Sequence, residues 1–478
     1  MTYETVIGLE VHLQLDTATK AFCGCSTEFG QKPNSQTCPV CLGLPGSLPV
    51  LNEKAFLFAI KVALALNCGI QDLIKFDRKN YYYPDLPKNY QISQYDMPLA
   101  YDGYVDIPRA GAGEPKRIRI LRVHLEEDAG KLMHAEGGEY SLIDLNRTGV
   151  PLLEIVTKPD ISSPQEAYDY LTKLKSILEY LRVSDCDMEK GSLRCDANVS
   201  IRPAGETKLG TKIELKNMNT FKGVKASLEY EVKRQTEALD GEEKLFQETR
   251  LWDADKMITI PMRTKEEATD YRYFPEPDLV PFMADKSLIE DIRRGLPELP
   301  EAKVGKFMKD YGLSEYDSNV LALERDVAEY FEECANIYEN RKAAANWITG
   351  DIMAYLKTTG ASPKELGVPP KELVELLRMI DKGAISGKMA KEALADAINM
   401  KVSPAKIIAE KGMSQISDTG KLEEAVRLVI SKNQKSVNDY KSGKVNAFGY
   451  LVGQVMRDTK GAANPEMVNR ILKKALER

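Results

Sequence analysis

Apolar and polar residues alternate strictly over residues 6–15. Ile7, Leu9, Val11, Leu13 and Leu15 are apolar, and Glu10, His12 and Gln14 fall between them. A period of two predicts a β-strand with one apolar face, and it spaces the polar side chains about 6.5–7 Å apart. The pattern recurs over residues 118–131. There Leu121, Val123 and Leu125 are expected inward and Arg122, His124 and Glu126 outward, with Glu127 and Asp128 where the strand ends. In residues 192–202, Leu193, Cys195, Ala197, Val199 and Ile201 alternate with Ser192, Arg194, Asp196, Asn198 and Arg202. In residues 211–217, Ile213 and Leu215 alternate with Lys212, Glu214 and Lys216.

Helical periodicity appears between these strands. Ser163-Pro164-Gln165-Glu166 supplies an N-cap, a first-turn proline and a capping-box glutamate. Ala167, Leu171, Leu174, Ile177, Leu178 and Leu181 then fall on one face. Residues 52–66 and 221–239 are two further predicted helices. Prolines in residues 293–303 mark a domain boundary, the pattern beyond is almost wholly helical, and residues 399–412 look like a second boundary. The expected architecture is α+β: an antiparallel-sheet domain over 1–293, an all-α domain over 294–403 and an all-α tail over 404–478.

Composition adds little except in its distribution. The 478 residues carry a net charge of −6, but residues 401–478 hold 15 Lys and Arg against 8 Asp and Glu, leaving 51 against 64 in the remainder. An acidic body with a basic tail suits a protein that binds metal and nucleotide in one part and a polyanion in the other, although a solvated helical surface would give the same charge. No apolar run approaches the ~18 residues of a membrane span, and no signal peptide is visible at the N-terminus.

Four of the eight cysteines form a Cys23-x-Cys25, Cys38-x-x-Cys41 pattern, and Cys68, Cys186, Cys195 and Cys334 are scattered. Four thiolates at this spacing suit a tetrahedral, structural Zn²⁺ with no open position. Such usage points to a reducing cytoplasm rather than a disulfide framework.

The polar strand faces hold the more informative chemistry. A half-exposed sheet would account for the alternation alone, yet this face carries two of the chain's three histidines along with carboxylates and arginines. If the strands pair, Glu10, His12, Glu126 or Glu127, and Glu214 converge as hard ligands for Mg²⁺ or Mn²⁺. Lys79, Arg194 and Lys216 would supply cations for phosphate. Neither a Walker A loop nor a GxGxxG turn is present. A metal-rich sheet of this kind suits carboxylate activation by ATP followed by attack of ammonia.

Seven ordered motifs carry a resemblance across essentially the whole chain: ETVIGLEVHLQL, FDRKNYYYPDLPKNYQISQYD, HLEEDAGK, LIDLNRTGVPLLEIVTKPD, GSLRCDANVSIRP, ELKNMN and DYRYFPEPDL. They resemble the B subunit of the aspartyl/glutamyl-tRNA(Asn/Gln) amidotransferases, the GatB family. The resemblance implies a cradle domain with a glutamine-synthetase-like site, a helical middle domain and a tRNA-gripping tail. It implies phosphorylation by ATP of the side-chain carboxylate of Glu-tRNA(Gln) or Asp-tRNA(Asn), then amidation. It places Mg²⁺ on Glu10, His12, Glu126, Glu127 and Glu214, phosphate or further metal contacts on Lys79, Arg194 and Asp196, and the tyrosine-rich loops beside the cavity.

No nucleophile for releasing ammonia from glutamine is evident. Cys195 lies on the apolar side of its strand, the other scattered cysteines lack a histidine partner, and His134 sits in a glycine-rich stretch. The resemblance therefore implies a heterotrimer in which a separate amidase chain releases ammonia from glutamine and a third, small chain braces the pair. A small-molecule carboxylate ligase and a zinc-braced RNA-binding scaffold are the competing readings. Neither the metal count nor the choice between the two tRNAs can be read from the sequence.

Overall fold

The computed structural model describes residues 2–109, 113–134, 138, 140–264, 271–415, 419–459 and 463–477. The chain falls into two compact units, residues 1–299 and 300–478. Ile289, Ile292, Leu296 and Leu299 pack against the first core, so the first unit extends beyond the expected 293 boundary to Leu299.

The first unit is built on a nine-stranded sheet. Its order is Ile258–Thr264, Glu248–Asp253, Ile213–Lys216, Leu193–Pro203, Tyr3–Gln14, Pro151–Thr157, Lys116–Glu127, Ala100–Ile107, Gly69–Ile70. Neighbours are antiparallel except Ile213–Lys216 with Glu248–Asp253, which run parallel. A parallel pair needs a crossover, and the helix Phe221–Asp240 supplies it. The expected sheet is thus antiparallel with one parallel pairing.

One face of this sheet is the core. Ile7, Leu9, Val11, Leu13, Val123, Leu125, Ala197, Val199, Ile213 and Leu215 are all fully buried. The helices Glu53–Ala65 and Pro164–Leu181 pack against Ala100–Ile107, and Phe221–Asp240 packs against Leu193–Pro203. Each large apolar side chain buried there contributes about 1.5–3 kcal/mol. Ser163 caps the Pro164–Leu181 helix as expected, its hydroxyl accepting from the Glu166 amide at 3.2 Å. Glu166 reaches one residue further back than a capping box requires and accepts from the Ser162 amide at 2.7 Å, because Lys116 also holds it at 2.6 Å.

Leu121 departs from the expected inward set: it is 44% exposed, whereas Ile118 and Ile120 are buried. A β-bulge is the reason. Val156 pairs Arg122 but Thr157 pairs Ile120, so the alternation shifts by one residue at Leu121. His134 ends the Lys131–His134 strand, paired with Ser141, rather than lying in a turn.

The second unit is helical throughout its described residues. Pro404–Glu410 packs on Pro370–Asp381 and Gly387–Met400. Thr419–Lys432, Gln434–Lys441, Asn446–Asp458 and Pro465–Leu476 share a separate core of Leu422, Val426, Val429, Leu451, Val455, Val468 and Leu472. Among the described residues no helix is long and apolar enough to cross a membrane.

Candidate active site

Strand register decides which polar side chains meet. His12 pairs Glu154 on one side and Arg194 on the other, and Glu154 in turn pairs His124. Four neighbouring strands thus set His124, Glu154, His12 and Arg194 in one row. Glu154 Oε2 lies 2.9 Å from His124 Nε2 and 3.7 Å from His12 Nε2. Glu126 Oε2 lies 3.4 Å from His124 Nε2 and accepts from the Ser93 hydroxyl at 2.9 Å. Ligand atoms of His12, Glu126 and Glu154 all lie within 4.8 Å of one another, close enough for one metal ion.

Electrostatics here favour the charged forms of His124, Glu126, Glu154 and Lys79. Burial disfavours a charged His124, but Glu154 and Glu126 outweigh it and raise its pKa to about 9. Burial pushes the Glu154 carboxyl up, and His124, His12 and Lys79 more than reverse this, holding it well below the usual range. Burial also opposes the Lys79 charge, yet Glu126, Tyr273 and Glu154 keep its pKa above that of an ordinary lysine. Lys79 sits on the strand Asp77–Asn80, its ammonium 4.9 Å from the Tyr271 ring. Tyr273 stacks on Tyr95 at 4.4 Å, so the two tyrosine-rich loops meet beside the trio. Asp270, at the head of the second loop, lies outside the described residues.

Of the expected metal ligands, His12 and Glu126 are thus brought together. Glu10 and Glu214 stand further along the face. Glu10 accepts from Asn198 Nδ2 at 2.8 Å, and Glu214 accepts from the Thr249 hydroxyl at 2.8 Å. Lys216 ion-pairs with Asp196 and lies 3.5 Å from Glu214. Glu127 is not brought to the trio. The strand continues through it, so its side chain takes the opposite face, where it ion-pairs with buried Lys88 and accepts from the Ile92 amide at 2.9 Å.

Glu154 is the member that sequence reading missed. It is the lone charge in Pro151–Thr157, where Leu152 and Val156 share its face and the segment reads as buried on both sides. A carboxylate isolated in such a strand was the available signal.

Arg194 is held by Asp128, Nη2 to Oδ2 at 2.9 Å, and Gln14 donates to the same oxygen at 2.8 Å. Burial raises the Asp128 pKa, but Arg194 and Arg147 outweigh it and leave it lowered from 3.8. Its stabilising contribution is therefore complete above the ordinary carboxylate value and is lost as pH falls through the lowered one. Asp128→Asn should cost about 2 kcal/mol at pH 7, discounted because Arg194 is partly exposed. The difference from wild type should shrink below pH 3.8, as read by denaturant unfolding.

The sulfurs of Cys23, Cys25, Cys38 and Cys41 also lie within 4.8 Å of one another and could hold one metal ion. The Cys38 amide donates to Cys41 Sγ at 3.2 Å. Lys20 is fully buried beneath them, its ammonium donating to Gln36 O at 2.8 Å and lying 3.7 Å from Cys41 Sγ. The Cys23 hydrogen bond, the Cys38 amide and Lys20 lower Cys41 to about 4, whereas burial pushes Cys25 up to about 11. A buried ammonium facing sulfur is what a negatively charged thiolate cluster requires.

Residues 5–290 match the family model described as GatB/GatE catalytic domain, and residues 329–476 match the GatB domain. The chain is 55% identical to the B subunit of the aspartyl/glutamyl-tRNA(Asn/Gln) amidotransferase of Carboxydothermus hydrogenoformans over 99% of both chains. The identity is also 55% with the B subunit of the Caldanaerobacter subterraneus enzyme, and 51% with that of Thermodesulfovibrio yellowstonii, over the full length of each. The catalytic-domain match alone spans more than half of the sequence, and these relatives run its whole length: the chain belongs to the GatB/GatE family.

Proposed function

We propose that the chain is the amide-forming member of an ATP-dependent tRNA amidotransferase acting on Glu-tRNA(Gln), Asp-tRNA(Asn) or both. The observation that carries this reading is the convergence of His12, Glu126 and Glu154 from three strands, with Lys79 and Arg194 beside them. A carboxylate oxygen of the aminoacyl side chain attacks the γ-phosphorus of ATP, and ADP leaves. Ammonia then attacks the acyl carbon of the resulting acyl phosphate, and phosphate departs.

His12, Glu126 and Glu154 would hold Mg²⁺, with Glu10 and Glu214 as flanking carboxylates. This hard donor set fits that ion. When bound, the ion would neutralise charge on the transferring phosphoryl group. The chain's own residues orient and exclude. Lys79 and Arg194 present cations to the phosphate oxygens, and Asp196 steers Lys216 towards the same face. Glu127, engaged by Lys88 on the far side, stays outside the ligand set.

Ammonia comes from elsewhere. Burial pushes the Cys68, Cys186 and Cys334 thiols up to about 12 and Cys195 well above its ordinary value, so none is a thiolate nucleophile near neutral pH. A separate glutaminase (amidase) chain, braced by a small third chain, would supply it within a cytoplasmic heterotrimer. The basic tail, whose four helices from Thr419 to Leu476 share their own core, would grip tRNA phosphates.

Phosphate release from ATP, measured with and without misacylated tRNA in the presence of the amidase partner, tests this reading. It requires stimulation by the charged tRNA and none by the uncharged tRNA. The four cysteines would hold a structural Zn²⁺. Cys38→Ser should lower the zinc content below one per chain and open residues 20–48 to proteolysis, read by metal analysis and limited digestion.

A further inference from the structure

The cysteine cluster and the polar face are joined by hydrogen bonds, one step along the backbone and one ion pair. Residues 27–37, between the two cysteine pairs, contain no helix or strand, so they owe their shape to their ends and to the segment they lean on. That segment is residues 143–147. Asn34 grips it three times: its amide donates to Asp144 Oδ1 at 3.1 Å, its Nδ2 to Ile143 O at 2.9 Å, and its Oδ1 accepts from the Leu145 amide at 2.8 Å. Asn146 returns the grip, accepting from the Gln36 amide at 2.9 Å and donating to Lys32 O at 2.8 Å. Buried Lys20 closes the joint by donating to Leu145 O at 3.3 Å.

The next residue carries the contact inward. Arg147 donates to Ala129 O at 2.9 Å and to Gly130 O at 2.6 Å, and its Nε lies 3.6 Å from Asp128 Oδ2. The Asp128 backbone is fixed just beyond that segment: its amide donates to Val150 O at 2.8 Å and its carbonyl accepts from the Gly149 amide at 2.9 Å. Asp128 Oδ2 then accepts from Arg194 Nη2 at 2.9 Å. Arg194 Nε is buried and has no hydrogen-bond partner, so the guanidinium is fixed on one side and keeps a donor in reserve for a ligand.

We propose that the cysteine knuckle is the outer support of a strut, running through Asn34, Asn146, Arg147 and Asp128, that sets the Arg194 guanidinium for a phosphate oxygen of ATP. The proposal rests on the reading of Arg194 as a phosphate-binding cation and adds the residues that position it. Asn34, Asn146 and Arg147 are positioning residues, far from the reacting atoms. Their physical role is to transmit the stiffness of a metal-closed loop to a side chain that, held in place before ATP arrives, binds its phosphate without a further ordering cost.

The test uses the full chain in its heterotrimer. Asn146→Ala should raise the KM for ATP about tenfold with kcat within about twofold, while zinc stays at one per chain. Binding of magnesium AMP-PNP should weaken by a similar factor, and chelating zinc from the wild type should weaken it equally. Chelation of the Asn146→Ala variant should then add nothing, because both act on one path. Asn146→Asp, which keeps the acceptor for Gln36, should fall between the two and serves if the alanine variant folds poorly.

Unchanged AMP-PNP affinity in the Asn146 variants, with Arg194→Ala still losing it, would overturn the strut alone. Wild-type AMP-PNP binding that ignores Arg194→Ala would overturn the phosphate reading beneath it.

Discussion

Glu154→Gln should lower ATP-dependent amide formation by about 10³-fold while leaving tRNA affinity within about twofold of wild type. The substitution keeps the side chain's shape and its ability to accept from His124, so the fold should survive. It removes one negative charge from a site where His12, Glu126 and Glu154 lie within a single ion's reach. It also removes the main partner of His124, a group 3% exposed and held charged by that carboxylate. His12→Ala acts on the same trio from the neighbouring strand and should cost about as much. The two losses should not add, because each disables the same unit. Amide formation and tRNA binding by the reconstituted heterotrimer are the paired measurements. Full activity of Glu154→Gln would remove Glu154 from the site.

Deleting residues 416–478 should raise the KM for misacylated tRNA about 10²-fold and flatten its salt dependence, with the KM for ATP unchanged. These residues carry 12 Lys and Arg against 7 Asp and Glu, and their four helices bury a core of their own from Leu422 to Leu476. The cut belongs after Gln415 rather than at the expected 404 boundary. An earlier cut would strip Pro404–Glu410, whose Ile407 and Ile408 are buried, from the two helices it packs on. Filter binding at two salt concentrations reads the slope. A small-molecule ligase would be indifferent to the deletion, so an unchanged substrate KM would favour that alternative.

Strand alternation made most of the first unit legible, because one buried face imposes a period of two that survives in sequence. Ile7, Leu9, Val11 and Leu13, or Ala197 and Val199, needed no partner to be assigned inward. What failed was pairwise. The bulge that exposes Leu121 exists only in the register between Lys116–Glu127 and Pro151–Thr157, and no local pattern announces it. Glu154 was hidden for a related reason: its strand has apolar residues on both faces, and only its pairing with His12 and His124 gives the carboxylate a role. The choice between Glu126 and Glu127, open in the sequence, also turns on the fold. Consecutive carboxylates look like a pair of ligands, yet a strand running through both sends them to opposite faces.

The cysteine pattern was legible as a cluster but not as a support. Asn34 and Asn146 are unremarkable as residues, and their mutual grip depends on two loops more than a hundred positions apart. Helix caps were legible to within a residue, as at Ser163, since capping is decided by neighbours in sequence. The end of the first unit was less so, because Leu296 and Leu299 belong to it through packing alone.

The central claim is that the face bearing His12, Glu126 and Glu154 activates a carboxylate with ATP. Trapping the activated carboxylate with hydroxylamine tests it most directly. The heterotrimer would be given misacylated tRNA, magnesium and ATP without glutamine. The expected result is a hydroxamate on the tRNA-bound amino acid in an amount equal to the phosphate released, and none from the Glu154→Gln variant. Amide formation from added ammonia with neither hydroxamate nor ATP cleavage would contradict it.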